Sequence, residues 1–456
     1  MTLRAPYLDD GDVRLYVGDC VEVMREMDAD SVDAVVCDPP YGLEFMGKEW
    51  DAPWRGDVLD EPASVGGFQD GNGGNPYSRS RIRFGIGAGF QEWCETWALE
   101  ALRVLKPGGH LLAFGGTRTF HRLTCGIEDA GFEIRDCLSW LYGSGFPKSL
   151  DVSKAIDKAA GAEREVVGPD PRWAERYPNG PSGNTGKGAD FEGKGLGRRD
   201  ETILATAPAT DAAREWQGWG TALKPGWEPC VVARKPLAGT VAENVQQHGT
   251  GALNIDGCRI AGDVPSVPQP ALNSPTGLVY GYKTGEGRNG EMSSAPGGRW
   301  PANVAFDEEA AAMLDAQSGV SSSRSALMPL PKNCGFAGSV YGGDGSTNGA
   351  SVRGHDDTGG ASRFFYTAKA SRADRSTNGA NNTHPTVKPT DLMRWLVRLV
   401  TPPGGIVLDP FAGSGSTLVA ARAEGVRAVG IEREDEYARI IADRLAQLSL
   451  FTEGME

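Results

Sequence analysis

The sequence predicts an α/β fold built on a parallel sheet, and three observations carry that prediction. Short apolar runs alternate with helix-like stretches at both ends of the chain. Two of these runs stop in turns made of acidic, proline and glycine residues, the place where open α/β sheets bind ligands. Between the ends, the 456-residue chain is loose in composition: from Gly335 to Gly360, 9 of 26 residues are glycine.

Taken in order, Arg14 to Val17 reads as a strand, Cys20 to Met27 as a helix and Val32 to Cys37 as a buried strand. A helix from Gln91 to Leu105 follows, because Trp93, Trp97, Ala101 and Leu105 recur at i, i+4 on one face. It stops at Pro107-Gly108-Gly109. His110 to Phe114 is then a strand, Thr119 to Ala130 a helix and Phe132 to Leu141 a strand. Pro229 to Ala233 is an isolated strand candidate. Near the end, Thr390 is the expected N-cap of a helix from Asp391 to Val400, which halts before Pro402-Pro403-Gly404-Gly405. Ile406 to Asp409 is a strand, Ser416 to Glu424 a helix, Ala428 to Glu432 a strand and Asp435 to Gln447 the last helix.

Composition narrows the class. Glycine (63) and proline (29) together make up about a fifth of the residues, high for a folded chain yet below the range of low-complexity sequences. No stretch approaches the apolar length of a membrane span, and the first residues lack the basic-then-apolar order of a signal peptide, so a cytoplasmic protein without a membrane partner is expected. The eight cysteines form no C-x-x-C pair and no histidines sit at H-x-x-x-H spacing, so neither a disulfide framework nor a metal site is expected. The net charge of −14 ordinarily argues against nucleic acid. It is unevenly spread: residues 1–62 hold 16 acids and 5 bases, whereas residues 76–125 hold 7 bases and 3 acids and residues 351–400 hold 8 bases and 4 acids.

Chemistry is concentrated in two turns. Asp38-Pro39-Pro40-Tyr41 follows the strand Val32 to Cys37 directly. The prolines stiffen the turn and lack N–H groups, leaving carbonyls to face a ligand as acceptors. A carboxylate beside a fixed carbonyl suits an exocyclic amine, and an aromatic ring at Tyr41 can stack on the base that carries it. A structural turn with a packed tyrosine is the alternative. The second turn, Asp409-Pro410-Phe411-Ala412-Gly413-Ser414-Gly415-Ser416-Thr417, joins a strand to a helix. Its glycines let the backbone approach a ligand and the helix start offers free N–H groups. Glu432 follows Gly413 by 19 residues, the spacing at which a carboxylate accepts hydrogen bonds from ribose hydroxyls. A Gly-x-Gly turn also fits a dinucleotide, although the full G-x-G-x-x-G is absent because position 418 is Leu.

Together the two turns resemble those of the amino-methyltransferases that act on DNA, in particular the circularly permuted β group, where the catalytic motif precedes the cofactor motif. The resemblance covers roughly residues 13–150, 226–235 and 364–447. It implies a Rossmann-like seven-stranded fold, circularly permuted, with a large irregular target-recognition insertion. It divides the chain into a catalytic half (1–150), a recognition region (151–363, with 226–235 returning as a core strand) and a cofactor half (364–456). The implied activity is methyl transfer from S-adenosyl-methionine to the N6 of adenine in double-stranded DNA, with cytosine N4 as the alternative; Asp at position 38 favours adenine. Asp38, Pro39, Pro40 and Tyr41 are then the catalytic residues. Asp409, Phe411, Gly413, Ser414, Gly415 and Glu432 bind the cofactor. Lys388, in His384-Pro385-Thr386-Val387-Lys388-Pro389, resembles the family segment near the methionine moiety, and Gly18-Asp19 resembles the strand end that reads the cofactor's adenine. Bland roles compete: Lys388 as a solvated charge, Asp19 as a helix cap. No metal is implied, and the oligomeric state stays open.

Pro229-Cys230 and Glu243-Asn244-Val245 also resemble motifs of cytosine-C5 methyltransferases, but that reading leaves Asp38-Pro39-Pro40-Tyr41 without a role. A non-catalytic DNA- or cofactor-binding protein is a further alternative. No nuclease signature appears, so a solitary, phage- or prophage-type modification enzyme is expected rather than a fused restriction enzyme. Arg198, Arg199, Trp216 and Trp219 are candidate DNA contacts, and residues 42–90, with Arg79, Arg81 and Arg83, a candidate closing loop.

Overall fold

Six successive residues, Val32–Cys37, are buried without alternation, so this strand (β3) is covered on both faces. It lies in the middle of a ten-stranded sheet. The computed structural model describes residues 4–42, 86–145, 149–169, 204–260, 298–322, 357–369, 374 and 387–453, with two-residue strands at 278–279, 282–283, 376–377 and 380–381. Arg79, Arg81, Arg83, Arg198, Arg199, the segments 146–148 and 384–386 and most of the closing loop lie outside the described residues.

The other strands of the sheet are β1 (Leu8–Asp9), β2 (Val13–Val17), β4 (Leu105–Phe114), β5 (Glu133–Leu141), β6 (Trp227–Arg234), β7 (Val304–Asp307), β8 (Tyr366–Ala368), β9 (Ile406–Asp409) and β10 (Arg427–Glu432). Their order is β1-β2-β10-β9-β3-β4-β6-β5-β7-β8. Both ends of the chain thus meet in one sheet: Glu432 registers with Val17, and Leu408 with Val35, in parallel pairs.

The sheet differs from expectation in two respects. It is mixed, because β6 runs antiparallel to both β4 and β5, and β1 antiparallel to β2. It has ten strands rather than seven, since β1, β7 and β8 extend its two edges. These three are two to four residues long, too short to show a period in a loose stretch of sequence.

Helices cover both faces. On one face, Val35 and Cys37 pack in a core with Val23 and Met24 of α1 (Cys20–Glu26), Trp97 and Ala101 of α2 (Ile86–Val104) and Leu123 and Ile127 of α3 (Phe120–Asp129). On the other, Ala34 and Val36 pack with Leu392 and Leu396 of α5 (Thr390–Val400), Leu418 of α6 (Ser416–Ala423) and Ile441 of α7 (Asp435–Glu453). Helix α2 ends one residue earlier than its apolar spacing suggests, because Leu105 opens β4. Thr390 is the first residue of α5 and Pro389 its cap.

The segment Glu243-Asn244-Val245 is structural. It lies in α4 (Val241–His248), where Glu243 closes a capping box with Thr240. Asn244 is fully buried: it accepts from Ala238 N at 2.9 Å and donates to the carbonyls of Pro107 (2.9 Å) and Thr250 (2.8 Å). A Cβ at Gly108, which has φ +76°, would meet Asn244 Nδ2 at 2.3 Å, so this glycine is what admits the side chain.

Gly145–Pro225 forms a second compact unit. Its helix Val152–Ala159 places Asp157 where nothing of it is exposed, and that carboxylate accepts from Arg164 (2.6 Å), from the N–H groups of Ala209 and Thr210 (3.0 Å each) and from the Thr210 hydroxyl (2.7 Å). One buried anion with four donors organises the unit. Trp216 and Trp219 pack edge to face at 5.1 Å and remain exposed, at 42% and 61%.

Asn244→Ala strands the Ala238 N–H and the Thr250 carbonyl, each costing roughly 1–3 kcal/mol, while the Pro107 carbonyl keeps its bond from the Thr250 hydroxyl. The expected outcome is a clear fall in the urea midpoint of unfolding, and an unchanged midpoint would contradict the structural role.

Candidate active site

Two turns leave the sheet side by side, because β3 and β9 are neighbouring parallel strands and both end on the same edge. The first is Asp38-Pro39-Pro40-Tyr41. Pro39 is buried, and the Tyr41 carbonyl accepts from the hydroxyl of Thr119, just ahead of α3, at 2.5 Å. Tyr41 folds back so that its hydroxyl donates to Asp38 Oδ1 at 2.8 Å. Lys388 Nζ donates to Asp38 Oδ2 at 2.6 Å and to the Tyr41 hydroxyl at 3.0 Å, and lies 3.2 Å from Glu228 Oε2. The ammonium also sits 4.7 Å above the Phe114 ring.

Glu228 arrives there because β6 is antiparallel. The strand begins on the edge where its neighbours finish, so Glu228, its second residue, faces outward beyond the pairs Phe114–Cys230 and Leu138–Cys230. Burial opposes charge on Lys388, yet Asp38 and Glu228 outweigh it and hold the lysine above its ordinary pKa. Burial, then Asp38 and Glu228, push the Tyr41 phenol well above its ordinary value, so it stays neutral. The group offers a half-buried carboxylate flanked by a proline carbonyl, with a lysine already bound to it.

The second turn opens at Asp409, which is buried and accepts from Phe411 N at 3.0 Å. Burial pushes Asp409 up to about 7, against hydrogen bonds from Thr417 and Phe411. Gly413 and Gly415 have φ of +53° and +81°, and a Cβ at Gly415 would meet Ile441 at 3.0 Å. Gly413 N donates to Glu432 Oε2 at 2.7 Å, while Glu432 Oε1 accepts from Glu434 N at 2.9 Å. Burial lifts Glu432 to about 7 despite those bonds. Phe411 is wedged against α2, its ring 5.3 Å from Trp97 and 5.7 Å from Trp93. Arg444, buried in α7, donates to the Ser414 carbonyl at 2.6 Å and to the hydroxyls of Ser414 and Ser416 at 3.3 Å each, and it pairs with Asp374 at 3.6 Å.

Asp19 is exposed and caps α1, its Oδ1 accepting from Val21 N (2.9 Å) and Glu22 N (3.1 Å). It still belongs to the same edge, since Gly18 N donates to the Glu432 carbonyl at 3.0 Å. The four strand ends of β2, β10, β9 and β3 therefore bring together Asp19, Glu432, the glycine turn and Asp38 in that order. Lys388 joins the Asp38 turn rather than the glycine turn. Glu228, Arg444 and Asp374 carry no mark in the sequence motifs. An acid opening an apolar strand, in Trp227-Glu228-Pro229-Cys230, is the signal that points to Glu228. Cys230 is fully buried in β6 and burial raises its thiol pKa, which is the opposite of an activated nucleophile. Among the described residues no cluster of His, Cys, Asp and Glu is arranged to hold a metal, and no helix is long and apolar enough to cross a membrane.

Known proteins are similar to this chain. The type II methyltransferase M.HindIII of Haemophilus influenzae is 22% identical over 448 residues, covering 94% of each chain. The DNA adenine methyltransferase YhdJ of Escherichia coli is 45% identical over 62 residues, 14% of this chain and 21% of its own. The solved cytosine-N4-specific PvuII DNA methyltransferase aligns over 97% of this chain and 90% of its own at 12% identity, with a TM-score of 0.43. The family model for N6/N4 DNA methylases matches residues 32–161 and 346–443, half of the chain. The chain belongs to the N6/N4 DNA methylase family and is a DNA methyltransferase.

Proposed function

We propose that the protein methylates the exocyclic N6 of adenine in double-stranded DNA, with S-adenosyl-methionine as donor, as a circularly permuted, β-group member of its family. The observation that carries this reading is the adjacency of the Asp38 turn and the glycine turn at the ends of β3 and β9. The order of the two motifs along the chain supports the permutation. The acids along the edge (Asp19, Glu432, Asp409) suit a ligand with hydroxyl and amine donors and a positive charge, and so fit that cofactor.

When bound, the cofactor supplies a methyl group on a sulfonium centre. The chain's part is orientation and electrostatics. Asp38 and the Pro39 carbonyl accept the two N–H bonds of the target amine, and Asp38 takes the proton released after transfer. Tyr41 lies at the mouth of this turn as the ring on which a flipped base stacks. Glu432 accepts from the ribose hydroxyls, Asp19 reads the adenine, and Phe411, Gly413, Ser414 and Gly415 shape the cradle, with Arg444 fixing Ser414 from behind. Residues 151–363, with Trp216 and Trp219, choose the DNA sequence.

After incubation with DNA and cofactor, digestion and mass identification of nucleosides is expected to reveal N6-methyladenine. Asp38→Ala should lower the rate by about 10²–10³-fold, whereas Cys230→Ala should keep it. N4-methylcytosine in its place would redirect the target within the family, and neither product on any DNA would defeat the proposal.

The linkage of Glu432 gives a second test. Its folded-state value of about 7 exceeds the ordinary 4.5, so its contribution to ligand-free stability is full below the ordinary value and is lost as pH rises through about 7. A ribose that needs the ionised carboxylate binds better over that same rise. The melting-temperature increase given by S-adenosyl-methionine should therefore grow more steeply between about pH 6 and pH 8 in the wild type than in Glu432→Gln, where Asp409 alone still titrates near 7. Equal pH dependence in the two proteins would remove Glu432 from the cofactor site.

A further inference from the structure

An amine acceptor needs a carboxylate; it does not need a lysine already bound to that carboxylate. Yet Lys388 Nζ lies 2.6 Å from Asp38 Oδ2. A cation in that place opposes methyl transfer, because positive charge grows on the amine nitrogen as the methyl arrives, and the ammonium cancels the field Asp38 offers. Glu228 is the counterweight, 3.2 Å from the same ammonium and 3.5 Å from the Tyr41 hydroxyl. With Tyr41 neutral, the three charged groups carry one net negative charge; without Glu228 they carry none. Lys388 is 9% exposed and the side chains of Asp38 and Glu228 are 21% and 24% exposed, so bulk water screens this difference only in part.

We propose that Glu228 is a positioning residue for methyl transfer: it shares the Lys388 ammonium with Asp38, leaving Asp38 with a net negative charge and giving Lys388 a partner when the amine replaces it. This rests on the methyltransferase reading above. On entry of the base, an amine N–H takes up Asp38 Oδ2, the hydrogen bond from Lys388 to that oxygen breaks, and the ammonium closes onto Glu228 Oε2. No covalent bond changes in this exchange. Lys388 then marks an empty site by occupying the acceptor, which keeps the half-buried Asp38 carboxylate paired between turnovers.

The test compares rates at saturating DNA and cofactor for the full chain and four variants: Glu228→Gln, Glu228→Asp, Lys388→Met and the double variant Glu228→Gln/Lys388→Met. Net charge at the cluster predicts that Glu228→Gln loses about tenfold or more in kcat while cofactor affinity stays within about twofold. Glu228→Asp, which keeps the charge, should remain near wild type. The double variant, with Asp38 alone bearing the charge, should recover most of the loss. A merely structural role for Glu228 predicts instead that the double variant is at least as impaired as the single one. The inference is overturned by a Glu228→Gln protein with wild-type kcat, or by a double variant no faster than it. Should Glu228→Gln fail to fold, the double variant replaces it, and a rate more than about tenfold below wild type overturns the inference. A wild-type chain that methylates no DNA defeats the earlier reading as well, whereas active wild type with an unaffected Glu228→Gln defeats this inference alone.

Discussion

Holding charge at the rim of a closed apolar sheet is the constraint on which the site depends. Asp38 and Glu228 both come within hydrogen-bond reach of Lys388 where β3, β6 and the segment before α5 converge. An isolated buried carboxylate or ammonium costs several kcal/mol, and either would neutralise rather than stay ionised. Together they satisfy one another, and Phe114 closes the floor beneath the ammonium. The neighbouring turn shows what happens without such a cation. Asp409 and Glu432 have backbone donors but no lysine, and burial lifts both to about 7. Of the two carboxylate sites on adjacent strands, the Asp38 turn is the one with an ammonium at hydrogen-bond distance.

The antiparallel strand is what makes the first arrangement possible. In an all-parallel sheet every strand leaves on the same edge, so each contributes its last residues there. β6 enters on that edge instead, and Glu228 stands at its start, facing the ends of its neighbours. The same strand then runs inward as Cys230, Val231, Val232 and Ala233, all buried. One segment thus supplies both a polar head at the site and an apolar body in the core. This division also explains why Cys230, two residues further in, is inert.

Much of the core was legible because its residues obey one rule at a time. Val32–Cys37 is uninterruptedly apolar apart from Asp33, and the Trp93, Trp97 and Ala101 face follows a helical period. Asp38 and the glycine turn could be found because local backbone chemistry confines them to strand ends. The rest depends on long-range partners. Nothing local marks Arg444 as the group that fixes Ser414, 30 residues away, and Lys388 meets Asp38 across 350 positions. The direction of β6 was equally hidden, since its apolar run reads the same in either sense. Edge strands such as Tyr366–Ala368 owe their pairing to β7 rather than to any period of their own.

Charge distribution bears on how such a protein meets DNA. Residues 145–225 contain 12 acids and 12 bases, so the whole net charge of −14 belongs to the unit that carries the site. Phosphates approaching that unit meet net repulsion except where basic groups are locally exposed, which makes non-specific electrostatic capture weak. The unit of zero formal charge carries the exposed pair Trp216 and Trp219. Aromatic contact loses less affinity to salt than phosphate contact does, because it releases no counterions. On the proposed function, the acidic edge attracts a cationic donor and a base that becomes cationic in the reaction.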